Sequence, residues 1–191
     1  MKYLKLLALS GAMMATMLSL AGNASATSVV SPVTGIKGES EEAVTLYGST
    51  NVSCASSSFS MNIENSGPGV TASGKLTSLA FSECSGGDVT VQTRGSLEIH
   101  ALGSGDGTVT WSNGRILVLH TTPFGINVEC DYGSSGTHLG TIDTNVFGTA
   151  TLDWNITALP VVEGNFLCGS SVEWIGSYIL TPTVADTMSI V

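Results

Sequence analysis

From Ala43 onward the chain is written in short runs in which apolar and polar residues alternate, separated by clusters of Gly, Asn, Asp and Ser. In 148–158 the residues Ala150, Leu152, Trp154, Ile156 and Ala158 share one parity, and Thr149, Thr151, Asp153, Asn155 and Thr157 share the other. A period of two held over eleven residues predicts a strand with one buried face. In 125–132, Ile126, Val128, Cys130 and Tyr132 fall on one side and Asn127, Glu129 and Asp131 on the other, so Cys130 is expected to point into the core. Val109–Ser112, Asn113-Gly114 and Arg115–Leu119 together predict a hairpin, because Asn-Gly accepts the positive φ angles of a type I′ turn. Its second arm is apolar on both faces, as is the run 172–180, and each predicts a central strand, the latter buried between layers. One register is irregular: Leu79 and Phe81 alternate together while Cys84 has the opposite parity, which requires a bulge or an early strand end.

No helical period occurs after residue 26. Turn signals recur at Ser66-Gly67-Pro68-Gly69, Gly86-Gly87-Asp88, Ser104-Gly105-Asp106-Gly107, Asn113-Gly114 and Ser134-Ser135-Gly136. Short strands at this spacing predict an all-β fold, an Ig-like or Greek-key β-sandwich of about ten strands filling residues 43–191. Residues 27–42 open with Ser, Pro and Gly without any period and predict a flexible leader into that domain.

The segment 1–26 has a different character. Lys2 and Lys5 precede an apolar run from Leu6 to about Ala21, and small residues close it at Ala24-Ser25-Ala26. That order is the one of a secretory signal peptide, with cleavage expected after Ala26. The run is short for a membrane span and is diluted by Ser10, Gly11, Thr16 and Ser19, and no later stretch is apolar for long enough, so no membrane span is expected once the signal is removed.

Composition then narrows the partners. The chain of 191 residues carries 6 Lys and Arg against 15 Asp and Glu, a formal charge of −9. Cleavage would remove Lys2 and Lys5 and none of the acids, leaving four bases against 15 acids and a charge of −11. Phosphate backbones are bound by clustered Lys and Arg, so nucleic acid is excluded as a partner class. Charged residues make up only 11%, while Ser, Thr and Gly number 26, 22 and 23, so hydroxyls and backbone must wet the surface.

All four cysteines, Cys54, Cys84, Cys130 and Cys168, lie beyond the signal segment. An even count in an exported chain predicts two disulfides. Three pairings are possible, and the sequential one, Cys54 with Cys84 and Cys130 with Cys168, is favoured because each bridge then clips one local group of strands. A zinc site fits poorly, since there is no Cys-x-x-Cys pair and no histidine at ligand spacing. No metal and no cofactor are therefore expected.

Catalytic chemistry is sparse. There is no Gly-x-Ser-x-Gly elbow, no His-Glu-x-x-His pair and no phosphate-binding Gly-rich loop. Glu98 and His100 share a strand face, but side chains two apart on one face stand about 7 Å apart and run parallel, a poor geometry for an orienter and a base. His120 is expected to be a satisfied strand-end histidine, and His138 to be solvated in a Gly/Ser loop over 133–140. The carboxylate pairs Glu129/Asp131 and Glu41/Glu42 could in principle serve a glycosidase, yet they fit the wet face of a strand and the acidic edge of the leader. No catalytic residue is assigned. Trp154 and Trp174 are expected in the core, leaving Trp111, two residues from Asn113-Gly114, as the candidate ligand-binding platform for a stacked sugar.

Taken in order, LTSLAFSEC, DVTVQTRGSLEI, GTVTWSNGRILV, TTPFGINVEC, GTATLDWNITA, NFLCGSSVEW and IGSYILTP resemble a family of small secreted actinobacterial all-β proteins with paired cysteines, over about 130 residues from Val52 to Pro182. The resemblance implies an exported all-β domain in which Cys54, Cys84, Cys130 and Cys168 are structural crosslinks, and it implies no catalytic or binding residue. The function expected is that of a secreted, non-enzymatic interaction or structural module, extracellular or in the cell envelope, with a protein or glycan partner. A glycan or small-ligand binding module and a secreted hydrolase are the alternatives.

Overall fold

The computed structural model describes residues 29–30, 35–65, 71–103, 106–144, 150–183 and 189–190. The expected signal segment, Thr27, Ser28, residues 31–34 and the Ser66–Gly69 turn lie outside them. The described strands are β1 (Val29–Val30), β2 (Gly35–Ser40), β3 (Val44–Tyr47), β4 (Val52–Asn65), β5 (Ala72–Ser85), β6 (Asp88–Thr93), β7 (Ser96–Gly103), β8 (Asp106–Thr121), β9 (Asn127–Thr144), β10 (Ala150–Glu163), β11 (Ser171–Pro182) and β12 (Ser189–Ile190), with one 3-10 turn at Phe166–Cys168.

The chain is all-β, but it is a barrel and not the expected Ig-like sandwich. Following the ladders, β2, β4, β5, β7, β8, β9, β10 and β11 pair in that order, all antiparallel, and β11 returns to pair with β2. One sheet of eight strands thus closes on itself, as in up-and-down barrels. Period-two patterning specifies which face is buried and is the same for a sandwich and a barrel. Closure is decided by ladders between distant residues, such as Ile36 with Pro182 and Ser40 with Tyr178.

The closing strand β2 lies inside the segment expected to be a flexible leader. Its buried positions are Gly35, Ile36 and Gly38, so little apolar bulk marks it in the sequence. The missing volume is supplied by the partner strand: a Cβ at Gly38 would sit 2.2 Å from the ring of Phe59.

Two of the eight positions around the barrel are shared by broken strands. β3 continues the direction of β2 and pairs with β4 and β11, and β6 precedes β7 along the same line and pairs with β8. The barrel therefore has two belts. In the lower one every neighbour is laddered. In the upper one β3 and β6 take the places of β2 and β7, and no ladder joins β6 to β5.

The hairpin expected at Asn113-Gly114 is absent, because β8 runs through it as one strand. Asn113 does adopt a positive φ of 56°. The strand uses it for a bulge, where the register against β9 shifts between Ser112 and Arg115 and the outer partner changes from β7 to β6. The Gly/Ser segment expected to be a loop over 133–140 is likewise strand, with further register shifts that take up its small residues.

Other expectations change in detail. Val128, Cys130 and Tyr132 are buried as expected, but β9 starts at Asn127 and Ile126 is exposed. A register shift after Ile156 turns Ala158 outward and brings Leu159 in. β11 is buried on one face only, through Val172, Trp174, Tyr178 and Leu180, while Ile175 and Ile179 face out. The irregularity needed to turn Cys84 falls at Glu83, with φ 52°.

The interior is filled by a connected set of rings. Trp154 lies 4.6 Å from Trp174 and 5.2 Å from Tyr178, Trp111 meets Trp174 edge-on at 5.7 Å, and Phe59 and Phe81 complete the set. The outward face carries residues such as Ser56, Ser58, Asn62, Asp153 and Asn155, the reverse of the apolar outer band of a membrane barrel.

Candidate functional site

Trp111, the expected platform, is 0% exposed. Because β8 continues through Asn113, this residue is mid-strand and inward. Its Nε1 donates to the carbonyl of Arg94 at 2.7 Å, and its ring covers Gly114, where a Cβ would come within 1.8 Å of it.

Both expected disulfides are present, Cys54–Cys84 and Cys130–Cys168. The first joins residues directly opposite one another on β4 and β5. The second ties β9 to the 3-10 turn between β10 and β11. Both sit at the same end of the barrel, where β3–β4, β5–β6, β8–β9 and β10–β11 are connected.

The histidines do not converge. His100 Nε2 comes 3.7 Å from Glu98 Oε2 and its Nδ1 is 3.2 Å from Thr71 Oγ1, all at the surface. His138 is exposed, as expected, though on a strand opposite Thr110. His120 is at the end of β8, 6% exposed, and its Nδ1 lacks a hydrogen-bond partner among the described residues, so it is not the satisfied histidine expected. Asp131 is held by Arg115 through two hydrogen bonds, Nε to Oδ1 at 3.1 Å and a second to Oδ2 at 2.5 Å, and this pairing raises the Arg115 pKa. Glu129 is exposed beside it, and Glu41 accepts from the Ser177 hydroxyl at 3.2 Å. No three His, Cys, Asp or Glu among the described residues assemble as metal ligands.

What the disulfide-bearing end does present is apolar bulk on braced loops. The β8–β9 connection, Thr122–Ile126, is closed by Gly125 N to Thr122 O and Thr122 N to Ile126 O, both 2.9 Å, and by Ile126 N to Thr122 Oγ1 at 3.1 Å. Pro123 presets its own φ and Gly125 takes a φ of 76°, a conformation a side chain would resist. Phe124 at its tip is 91% exposed, with Ile126 also exposed beside it.

On the neighbouring β10–β11 connection, Asn165 caps the 3-10 turn by accepting from Leu167 N at 2.8 Å. The turn is anchored beneath by the buried Cys168, whose carbonyl accepts from the Tyr132 hydroxyl at 3.0 Å. Phe166 projects from it, 90% exposed. Sequence periodicity passes over both phenylalanines because neither lies in a strand; the Thr-Pro-Phe-Gly turn chemistry is the signal that locates the first.

Two recesses mark the barrel surface, the first beside this end and the second midway along the wall. One, of about 560 Å³, is lined by Cys84, Gly87, Asp88, His120, Asn127 and Glu129 among others. The other, a groove of about 430 Å³, runs between β3, β10 and β11, where Tyr47, 44% exposed, stands with Glu42, Asp153, Asn155 and Ser177.

No family model, no curated protein and no solved structure matches the chain.

Proposed function

We propose that this protein is an exported, non-enzymatic binding module, extracellular or held in the cell envelope, that engages a protein partner through the disulfide-bearing end of its barrel. One observation carries the proposal: Phe124 and Phe166 are 91% and 90% exposed on two adjacent loops, each fixed by hydrogen bonds, and one of them by a disulfide. Large apolar side chains held rigidly in water mark contact surfaces, because a partner that covers them gains apolar burial without an ordering cost. Export is supported by the basic, apolar, small-residue order of residues 1–26 and by two disulfides, which persist in oxidising compartments. The resemblance to small secreted proteins with paired cysteines agrees with it.

A second reading, a glycan binder, is favoured by the Tyr47 groove, where one exposed aromatic ring stands among carboxylate, amide and hydroxyl groups of the kind that bind sugars.

The test is cross-linking of the exported protein to surface fractions of the producing cells, with the double variant Phe124→Ser/Phe166→Ser beside it at matched thermal stability. A specific cross-linked partner is expected with the native protein and should fall at least tenfold with the variant. Equal capture by both overturns the proposal. Loss of capture on Tyr47→Ala alone would instead favour the glycan reading.

A further inference from the structure

We propose that the unladdered joint between β5 and β6 is an acceptor site for an extended peptide strand with alternating apolar residues and a basic residue at the end that lies beside Glu83 and Asp88. Among the described residues, β5 and β6 are the neighbouring strands that share no ladder at any point, whereas β9 and β10 lose theirs only between Trp154 and Val161. From Thr77 to Ser85, β5 pairs only with β4 among the described residues, and β6 only with β8, although a link of just Gly86 and Gly87 connects them. In a strand paired on one side, the alternate N–H and C=O groups of the other side remain open to a further backbone.

The two flanks are fixed independently. β5 is tied to β4 by the Cys54–Cys84 bridge, β6 to β8 by its ladder, and the lower limit is set by Leu76 N donating to Gly95 O at 3.1 Å. The joint also interrupts the core's cover. Of the seven hydrophobic residues only partly buried against the core, four, Phe81, Cys84, Val89 and Val91, flank it. Exposed edges are commonly guarded by Lys, Pro or inward charges, and the β6 run Val89-Thr90-Val91-Gln92-Thr93 has none of these.

An edge of backbone donors and acceptors above half-covered apolar side chains matches strand addition, in which the main chain supplies affinity and every second side chain fills a pocket. Charge selects the occupant. Glu83 and Asp88, both exposed, mark the upper end and have no ion-pair partner among the described residues, and the chain as a whole is strongly acidic. A cationic end placed there is favoured over a second copy of this acidic chain.

The probe is the blocked peptide Lys-Val-Thr-Val-Thr-Val-Thr, added to the intact disulfide-bonded protein and followed by amide hydrogen exchange and calorimetric titration. In the free protein, the joint-side amides of β5 and β6 are expected to exchange quickly while those in the β6–β8 ladder stay protected. Saturable one-to-one binding should then slow the joint-side amides at least tenfold. The control Lys-Val-Pro-Val-Pro-Val-Thr, short of N–H donors, should bind at least tenfold more weakly, and Asp88→Lys should weaken the lysine peptide several-fold. Joint-side amides already protected in the free protein, or equal binding of the two peptides, overturns the proposal. Retention of binding by Phe124→Ser/Phe166→Ser separates this site from the loop surface.

Discussion

Tyr178 and the tryptophans show what a barrel interior does to polar atoms. The Tyr178 hydroxyl and the Nε1 atoms of Trp154 and Trp174 are buried without hydrogen-bond partners among the described residues. Burial pushes the Tyr178 pKa well above the ordinary tyrosine value of 10.0, against smaller opposing effects of Ser57 and Trp174, and burial also raises that of Tyr132. A raised folded-state pKa means that the native state keeps its proton where the unfolded chain has lost it. The contribution is therefore intact below pH 10 and is lost as pH rises from about 10 toward the folded value. Stability measured by urea unfolding should fall steeply above pH 10, and Tyr178→Phe should lessen the fall by about 1.4 kcal/mol per pH unit. An identical alkaline slope in the variant would place the hydroxyl in water. None of this could be taken from the alternation of residues 172–180, which shows that Tyr178 is in a strand; the rings that meet it, Phe59 and Trp154, come from two other strands.

At the scale of elements, irregularities lie side by side and shape the wall. β5 shifts register at Thr77, the β6–β7 line breaks at Arg94 and Gly95, and β8 bulges at Asn113-Gly114. These points are in contact: a Cβ on Gly95 would lie 2.2 Å from Ser112 O, and Trp111 bonds Arg94 while covering Gly114. Above that row β8 changes partner and the joint begins. The Asn-Gly signal in the sequence thus reports a real positive φ, and what it leaves open is whether the chain reverses or bulges, because the same dihedral serves both. Alternation did locate the buried faces of β9 at Val128–Tyr132 and of β10 at Ala150–Ile156, and parity alone required an irregularity before Cys84, but it passed over β2 and the 133–140 stretch of β9. Asn113→Val places a β-branched residue at φ 56° and should cost about 1–2 kcal/mol in urea unfolding, whereas Asn113→Gly should stay within about 0.5 kcal/mol of native. Equal stabilities for the two variants would mean that the bulge relocates.

For the whole molecule, the two belts differ in how they are held. The lower belt is closed by ladders alone, while the upper, with its one open joint, carries both disulfides. In the chain-entropy account, bridges closing 30 and 38 residues each stabilise by about 3.5–4 kcal/mol. Their surroundings differ. Cys130 and Cys168 are both fully buried, but Cys84 is only partly covered because it borders the joint. A thiolate must reach a sulfur to exchange with it, so access sets the order of reduction. Under mild reduction followed by alkylation and peptide mass mapping, label should appear at Cys54 and Cys84 well before Cys130 and Cys168. The singly reduced species should exchange its β4 and β5 amides faster and keep the Phe166 loop unchanged. Simultaneous labelling of all four would show that the two bridged parts of the upper belt open as one unit, and that the joint is no weaker than the rest of the wall.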